Sequence, residues 1–380
     1  MLHIPQPRVQ ESSSPRTENL GRIALVLPRG TFFGPNRATS IDLCVHDFVR
    51  NSRFAEQTEI HCSKVEDPYP DFDLHLDEGG VGGQLLKGIR IARRIRASDC
   101  KLTIVHQHLP TAWLMAKMLR HPVLLHTHNF QKQIAPSNKR KFRSYRYNSL
   151  AGIIFVSEAC KSHFDSNWPD LNVPTHVVHN GLDMEKWRPA ESRKKQIIMA
   201  GRAVPEKGIL EAARALLVTL HQFPSWRSLL MLTETDRHPE YYAEIQNLVD
   251  GSGGKIQLMT NRPINEVRNA VRESKIALVL SKWDEPFGRT AIEALASGTA
   301  LISSGTGGLR EVSGDSCIFV NPNDHESVVA AMIKLITDVN FRSHLADGGR
   351  RRALENFSIQ KQSAELDRIY EAYLASGSRK

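Results

Sequence analysis

The stretch KIALVLSKWDEPFGRTAIEALASGTALISS, residues 275–304, contains the unit from which the fold can be predicted. It begins with a short apolar run, KIALVLS (275–281), that has the length of a buried strand. RTAIEALASG follows with helical spacing and closes at Gly298, a residue typical of helix C-termini. A second apolar run, TALISS, completes a strand–helix–strand unit. Such units build parallel sheets, so the segment predicts an α/β protein.

The same alternation of short strands and longer helices runs through both halves of the chain. The predicted strands are 22–28, 102–108, 122–128 and 152–157 in the first half, and 195–202, 228–234, 275–281 and 299–304 in the second. Between the halves, HVVHNGLDMEKWRP (176–189) combines a short strand, an Asn-Gly turn and a closing proline, as in a crossover between domains. We therefore predict two Rossmann-like domains that face a central cleft, with ligands at the carboxyl ends of the strands.

Domain boundaries follow from this pattern. Residues 1–20 are polar and lack the apolar centre of a signal peptide, so we expect a disordered tail. Residues 21–180 form the predicted N-terminal domain, and residues 181–355 form the C-terminal domain. The segment 356–380 has helical spacing, and we expect this helix to pack back towards the N-terminal domain.

Composition is that of an ordinary globular protein, with 41% apolar and 24% charged residues. No apolar run approaches the ~20 residues needed to span a bilayer. The five cysteines are scattered and form no C-x-x-C pair. This favours a reducing compartment and argues against a disulfide framework or a zinc ribbon. The expected location is the cytoplasm.

The formal net charge of +9 is unevenly distributed. Between residues 87 and 146 the chain has 14 basic residues and a single acid, Asp99. The segment GQLLKGIRIARRIR (83–96), which overlaps the start of this region, has a helical pattern that places Leu85, Ile89, Ala92 and Arg96 on one stripe. Another part, 132–148, interleaves basic and aromatic residues. We expect an acidic partner for the N-terminal half. An anionic membrane surface, contacted through 87–146, is preferred over nucleic acid, and a solvated helix is the alternative.

Two glutamates frame the link between the strand and the helix of the opening unit. Pro286 disfavours helical backbone at Glu285, which therefore belongs to the loop at the carboxyl end of the strand. Phe287 and Gly288 then present amides at a helix N-terminus, where negative charge is favoured. Glu293 lies one to two turns inside the helix. The pair could be a solvated helix face, a metal site or a pair of acceptors for the hydroxyls of a polyol, and charge-assisted hydrogen bonds favour the last.

A second loop, GRAVPEKG (201–208), also lies between a predicted strand and a predicted helix. Arg202 and Lys207 are its two cations, while Pro205 and Gly208 shape the backbone around them. Two cations at a helix N-terminus form a site for a diphosphate without a metal ion. A solvated turn with ordinary charges is the alternative.

Together, GRAVPEKG, HNGLDMEKWRP and EPFGRTAIEALASGTALISSGTGGLREV resemble the retaining family 4 glycosyltransferases of the GT-B fold. The resemblance covers most of 21–360 and is most specific from 176 to 322. It implies that Glu285 contacts the transferred sugar. The donor-binding residues that it implies are Gly34, Arg202, Lys207, Phe287, Gly288 and Glu293. Within this set Arg202 and Lys207 would hold the diphosphate, and Glu293 would bind the nucleotide ribose.

The resemblance extends to the first domain, which would be the acceptor side. LLHTHNF (124–130) is similar to the family's strand that ends in a histidine beside the reaction centre, which makes His128 the second catalytic candidate. His126 is the rival, because it points to the same side of an extended strand. Gly34 resembles the glycine loop that approaches the donor, although Pro35 stands where the family has a second glycine.

Two departures from the family pattern lie in the second domain. Leu280 stands where the family usually has proline. Asn261 stands where a glycine is common near the nucleobase, so the base is less well specified than the diphosphate.

The implied activity is transfer of a hexose, with retention of configuration, from a nucleotide-diphosphate sugar to a glycan or glycolipid acceptor. Synthesis of bacterial surface polysaccharide or lipopolysaccharide core is the expected setting, at the inner face of the cytoplasmic membrane. We expect no cofactor and no metal, and we interpret Asp71-x-Asp73 as a solvated loop. The alternatives are a nucleotide-sugar epimerase, another GT-B enzyme, or a non-catalytic membrane-associated protein that binds sugar nucleotides. A dinucleotide oxidoreductase is disfavoured, since no G-x-G-x-x-G follows the first strand of either domain.

Overall fold

The computed structural model describes residues 21–28, 30–35, 39–77 and 83–377. The expected tail at 1–20 lies outside these ranges. Within them the chain folds into two α/β domains, each built on a parallel sheet. The predicted fold class is confirmed.

The first sheet has seven parallel strands within the described residues, in the order β3-β2-β1-β4-β5-β6-β7. These strands are β1 (Arg22–Val26), β2 (Thr58–Ser63), β3 (Asp73–Asp77), β4 (Cys100–His106), β5 (Val123–Thr127), β6 (Gly152–Phe155) and β7 (Thr175–Val177). The helices that accompany them are α1 (Ser40–Asn51), α2 (Gly83–Ala97), α3 (Leu109–Met118), α4 (Asn138–Asn148) and α5 (Glu158–Asn167). The central strands are almost fully buried because helices cover both faces of the sheet, which explains their continuous apolar runs.

The second sheet has six parallel strands in the described part of the chain, in the order β10-β9-β8-β11-β12-β13. They are β8 (Lys194–Arg202), β9 (Arg227–Thr233), β10 (Ile256–Thr260), β11 (Ser274–Val279), β12 (Ala300–Ser303) and β13 (Cys317–Phe319). The helices that follow are α6 (Ile209–Gln222), α7 (Pro239–Asp250), α8 (Ile264–Glu273), α9 (Arg289–Ala296), α10 (Gly308–Ser313), α11 (His325–Thr337), α12 (Val339–Phe357) and α13 (Ile359–Ala375). Among the described helices, none combines the length and the apolar character needed to cross a bilayer.

The last helix, α13, lies against the first domain. Asp367 accepts hydrogen bonds from the Ser52 hydroxyl and, at 2.9 Å, from the Arg53 amide, both just beyond α1. Leu366 and Tyr370 are buried in the same core cluster as the strands of the first sheet. The chain therefore begins and ends its described course in the first domain.

Two sequence-based interpretations in the first domain are wrong. Asp73 is not in a solvated loop, because it begins the edge strand β3, where its carboxylate pairs with Arg22. The stripe through Leu85 and Arg96 is not the buried face of α2, since both side chains are exposed. The buried face carries Ile91, Ala92 and Ile95. Ala92 belongs to the predicted stripe, whereas Ile91 and Ile95 each stand one position before a stripe residue, so the buried face is rotated relative to the prediction.

Candidate active site

Two loops of the second domain meet at the carboxyl edge of its sheet. The loop after β8 ends in a single 3-10 turn, Pro205–Lys207, and Gly208 follows with a left-handed φ of 67°. A Cβ on Gly208 would lie 2.2 Å from the carbonyl oxygen of Leu280, which follows β11. The Lys282 amide also donates to the Glu206 carbonyl at 2.8 Å. A glycine is therefore required where the two loops pack, and the contact fixes their spacing.

Lys207 and Glu285 are joined by this packing. The Lys207 ammonium pairs directly with Oε1 of Glu285, and the Ser281 hydroxyl donates to the same oxygen. Glu285 is buried, with 7% of its surface exposed. The structure thus brings together one predicted sugar ligand and one predicted diphosphate ligand. Ser281 was not predicted as a site residue, although it is the last residue of the predicted strand 275–281.

A glycine-rich loop holds the backbone of Glu285 in place. The Gly308 amide donates to the Glu285 carbonyl at 2.7 Å, and Glu285 and Gly307 form an isolated parallel bridge. Gly307 has a φ of 54°, and a Cβ there would lie 2.4 Å from the Glu285 carbonyl oxygen. Gly307 and Gly308, the last two residues of GTGG (305–308), therefore allow close backbone contact. This role of the glycines was not predicted from the sequence.

Helix α9 begins at Arg289, shortly after Glu285 in the chain. Gly288 is its N-cap residue, with a left-handed φ of 107°, and a Cβ there would meet the Leu309 side chain at 2.4 Å. The first amides of a helix lack intrahelical partners and attract negative charge. The Phe287 ring is buried and packs edge-on against Phe357. Only the backbone of Phe287 can therefore contact a ligand. This agrees with the prediction that Phe287 and Gly288 act through their amides.

Glu293 lies one turn into α9, buried beside Arg289. Nε of Arg289 contacts Oε1 of Glu293 at 3.1 Å. Burial raises the pKa of the Glu293 carboxyl, and the nearby Arg289 charge opposes this rise without cancelling it. For Arg289, burial alone would lower the pKa, but the surrounding Cys44, Glu293 and Asp47 outweigh it and raise the pKa. Arg289 was not predicted, although it stands four residues before Glu293, the spacing of a helical ion pair.

Arg202 occupies a different part of the same edge. It is the last residue of β8, and its guanidinium lies 3.6 Å from the Glu234 carboxylate. Glu234 follows β9 with a left-handed φ of 52°, which is uncommon for a non-glycine residue. Asn261, after β10, has a left-handed φ of 49°. Within the described residues, no ion pair joins Arg202 to Glu285 or Glu293. Arg202 is therefore not part of the group formed by Lys207, Ser281 and Glu285.

His128 immediately follows β5, at the carboxyl edge of the first sheet. Its Nε2 lies 2.9 Å from Nδ1 of His106, the last residue of the neighbouring strand β4. Its amide donates to the Gln107 side chain at 2.7 Å, and Gln107 has a left-handed φ of 62°. Burial lowers the pKa of His128 to about 4. His128 is therefore a neutral imidazole whose ring is oriented by His106.

His126, the rival candidate, is buried under this pair. Its ring stacks on His128 with centroids 4.6 Å apart, and neither ring nitrogen has a hydrogen-bond partner in the described structure. The rings of His106, His126 and His128 lie at interplanar angles of 20° to 32°. A metal ion needs ligand lone pairs that converge on one point, and these lie in the ring planes. One nitrogen from each ring lies within 4.8 Å of the others, but Nδ1 of His106 and Nε2 of His128 already share a hydrogen bond.

Gly34 lies in the loop after β1, packed against its own domain. A Cβ on Gly34 would lie 2.0 Å from the Asp67 carbonyl oxygen. This contact alone requires glycine at the position. Asn36, two residues further along the same loop, lies outside the described residues.

The two domains meet around the Glu285 loop. The carbonyl oxygen of Pro286 accepts hydrogen bonds from the Ser157 hydroxyl at 2.5 Å and from the Cys160 thiol at 3.3 Å, both at the start of α5. Glu311 of α10 accepts from the Glu158 and Ala159 amides at 3.0 and 3.2 Å. The carboxyl edges of the two sheets therefore face each other, with the predicted site residues along the opposing edges.

Two family models match successive parts of the chain. "Glycosyltransferase Family 4" matches residues 57–186, and "Glycosyl transferases group 1" matches residues 183–352. The boundary between them coincides with the crossover from the first sheet to the second.

Curated relatives carry related names at low identity. The chain is 28% identical over 228 residues to an MMP α-(1→4)-mannosyltransferase of Mycolicibacterium hassiacum, covering 59% of this chain and 54% of that protein. It is 23% identical over 217 residues to the lipopolysaccharide core biosynthesis mannosyltransferase LpcC of Rhizobium leguminosarum, covering 54% and 61%. The alignments thus span between half and two thirds of these relatives.

Solved structures show the same fold across nearly the whole chain. A glycosyltransferase of Rickettsia africae superposes with a TM-score of 0.78 at 18% identity, covering 93% of this chain and 99% of that one. Anabaena HepE, solved in complex with UDP and glucose, superposes with a TM-score of 0.75 at 16% identity, covering 92% and 99%. The two family models, together with the fold described above, show that the chain belongs to the family 4 glycosyltransferases of the GT-B fold.

Proposed function

We propose that the chain transfers a hexose, with retention of configuration, from a nucleotide-diphosphate sugar to a glycan or glycolipid. The observation that carries the proposal is the direct contact of Lys207 with Glu285. It puts a cation suited to a phosphate and a carboxylate suited to sugar hydroxyls at one point, beside the N-terminus of α9. A site that grips both halves of a nucleotide sugar needs this combination.

Each predicted residue then has a role in donor binding. Lys207 and Arg202 neutralise the diphosphate, assisted by the Phe287 and Gly288 amides. Glu285 accepts hydrogen bonds from the transferred sugar. Glu293 accepts them from the ribose, and Gly34 approaches the donor from the first domain.

The reaction breaks the bond between the anomeric carbon and the diphosphate oxygen. Lys207, Arg202 and the helix amides stabilise the negative charge that develops on the leaving group. The acceptor hydroxyl forms the new bond on the same face, and its proton passes to the departing phosphate oxygen. Oε1 of Glu285 already holds the Lys207 ammonium and the Ser281 hydroxyl, which reduces its nucleophilicity and favours this path over a covalent intermediate.

His128 lies on the acceptor side, as a neutral imidazole. A cavity beside its partner His106 is lined by Lys87, His108 and Thr111 together with apolar residues. We propose a bacterial surface polysaccharide or lipopolysaccharide core as acceptor, with GDP-mannose or a UDP-hexose as donor. The mannosyltransferase relatives and the structure solved with UDP and glucose support this choice.

Turnover by single variants tests the proposal. The substrates are GDP-mannose, UDP-glucose or UDP-GlcNAc with purified core lipopolysaccharide, and the product is identified by NMR. Glu285→Gln and Lys207→Ala should each lower kcat by about 100-fold or more, with unchanged circular dichroism. Lys282→Ala is the matched control, because this neighbouring lysine pairs with Glu211 at 2.6 Å, outside the proposed site. Near-normal turnover in Lys207→Ala would overturn the proposal, and an isomerised donor without transfer would show an epimerase.

We also propose that the first domain docks on an anionic membrane through α2 and α4. Leu85 and Leu86 on α2, and Phe142 and Tyr145 on α4, are exposed. Lys117 lies over the Tyr145 ring, with its ammonium 4.7 Å from the centroid. Exposed apolar side chains among cations suit the interface of an anionic bilayer at the inner face of the cytoplasmic membrane.

The basic run 132–148 contributes unequally to this surface. Lys139 and Lys141 are exposed, whereas Arg140 donates to the Ile134 carbonyl at 2.9 Å and Tyr147 is fully buried. The lysines are therefore the residues to change. Lys139→Glu/Lys141→Glu should abolish co-sedimentation with vesicles of phosphatidylcholine and phosphatidylglycerol. Equal sedimentation of the variant and the native chain would refute membrane docking through this surface.

A further inference from the structure

Arg289 connects the predicted ribose ligand to the opposite domain. It is the first residue of α9, and each of its side-chain nitrogens has a different partner. Nε contacts Oε1 of Glu293 at 3.1 Å, Nη2 lies 3.6 Å from Oδ2 of Asp47, and Nη1 donates to the Cys44 sulfur at 3.5 Å. Asp47 and Cys44 belong to α1 of the first domain. One buried guanidinium therefore bridges carboxylates of both domains.

One carboxylate oxygen of Glu293 takes no part in this bridge. Oε1 is held by Nε of Arg289, while Oε2 accepts no hydrogen bond from any group in the described residues. An arginine free to turn its fork towards a single carboxylate would engage both oxygens. Asp47 attracts the Nη2 end of the fork in the other direction, so the Arg289–Glu293 contact stays single.

We infer that Asp47 and Arg289 are positioning residues that keep one oxygen of Glu293 available to the hydroxyls of the donor ribose. The inference rests on the proposed function, because it assigns a partner to the ribose ligand of that site. It adds a link between the domains, since Asp47 lies on α1 of the first domain and Arg289 on α9 of the second. Donor affinity should accordingly depend on a residue of the acceptor-side domain.

The charges around this bridge are consistent with that arrangement. Besides Asp47, Glu293 and Cys44, Arg268 lies near enough to Glu293 to favour its ionised form. His46 contacts the other oxygen of Asp47, with Nδ1 at 3.0 Å from Oδ1. Oδ2 of Asp47 is therefore the oxygen that faces Arg289. Without the Asp47 charge, the Arg289 guanidinium is no longer drawn away from Glu293 and can turn both of its nitrogens towards that carboxylate.

Calorimetric titration of Asp47→Asn tests the inference. The probes are pyrophosphate, whichever of UDP, GDP and ADP binds the native chain most tightly, and the 2′,3′-dideoxy analogue of that nucleotide. The variant should bind the nucleoside diphosphate about 5-fold or more weakly. Its affinity for pyrophosphate and for the dideoxy analogue should equal that of the native chain, because neither ligand offers ribose hydroxyls. A purely structural defect would weaken binding of all three.

The matched control is Asp71→Asn in the same domain, where the carboxylate is exposed and lies 3.8 Å from Arg50. It should bind all three probes as the native chain does. Equal nucleoside diphosphate affinity in Asp47→Asn and the native chain would overturn the inference while leaving the proposed function intact. A native chain that binds none of the three nucleotides would overturn the proposed function and the inference with it.

Discussion

At the residue scale, Glu285 is fixed by its backbone as much as by its side chain. The side chain meets Lys207 and Ser281, while the carbonyl accepts from the Gly308 amide. Pro286 predicted that Glu285 lies in a loop before the helix. It did not predict the second loop that supports it, because the sequence does not show which distant glycines pack on which carbonyl.

Gly307→Ala tests this support. The added methyl would lie 2.4 Å from the Glu285 carbonyl oxygen, at a left-handed φ that costs an L-residue roughly 1–2 kcal/mol. We expect urea denaturation to show at least that loss in the free energy of unfolding, together with a fall in kcat. Gly348→Ala in α12 is the control, since its methyl would meet only the Ser316 hydroxyl oxygen at 3.5 Å. A fully stable and active Gly307→Ala variant would contradict the close packing.

The histidine stack predicts a dependence of stability on pH. Burial lowers the pKa of His126 well below 6.5 and that of His128 to about 4. Below pH 6.5 these histidines are protonated in the unfolded chain but stay neutral in the folded chain. The free energy of unfolding should therefore fall as the pH is lowered from 6.5 to about 4. Urea denaturation of His126→Phe should show a shallower fall. An equal slope in the variant and the native chain would show that His126 is not buried as a neutral ring.

At the scale of elements, α10 holds the start of α5 across the cleft. Glu311 accepts from two amides of α5 and from Nε2 of His179. Burial raises the pKa of Glu311, but the hydrogen bonds outweigh it and lower the pKa overall. The stabilisation is therefore present above the unfolded pKa and is lost as pH falls through the folded value.

Hydrogen exchange tests this contact between the domains. Glu311→Ala leaves the Glu158 and Ala159 amides without their acceptor, so both should exchange faster than in the native chain. Glu326→Ala, an exposed glutamate at the start of α11, is the control and should leave these amides protected. Unchanged protection in Glu311→Ala would show that the two helices are held together by other contacts.

Most elements were predictable because buried parallel strands are short apolar runs between longer helical patterns. The strands β2, β3, β10 and β13 were not predicted. The sequences of β2 and β3 show why those two were missed. TEIHCS and DLHLD mix charged residues and histidines, since Glu59 pairs with His61 at 2.8 Å and Asp73 pairs with Arg22. Polar groups that satisfy one another inside a sheet leave no apolar signal. His106 was not predicted because its partner His128 lies 22 residues later in the chain. For Arg289, the partners Asp47 and Cys44 belong to the other domain, and only Glu293 is near in sequence.

At the scale of the whole molecule, α13 ties the end of the chain to the first domain. Asp367→Ala removes the acceptor of the Ser52 hydroxyl and of the Arg53 amide. Each lost partner leaves a donor whose desolvation costs about 1–3 kcal/mol if it stays buried. We expect thermal unfolding of the first domain at a lower temperature, with nucleotide binding by the second domain retained. An unchanged melting temperature would contradict this anchoring.

The proposed donor site lies at the second domain's edge of the cleft. There Lys207, Glu285 and the N-terminus of α9 would bind a sugar nucleotide through its phosphates and its hydroxyls together. The most direct measurement is the thermal stability of the native chain and of Lys207→Ala with UDP, GDP, ADP and their sugar conjugates. At 100 times its dissociation constant, a true donor should stabilise the native chain by about 2.7 kcal/mol, and the variant much less. No shift with any of these ligands, or equal shifts in both proteins, would contradict the account.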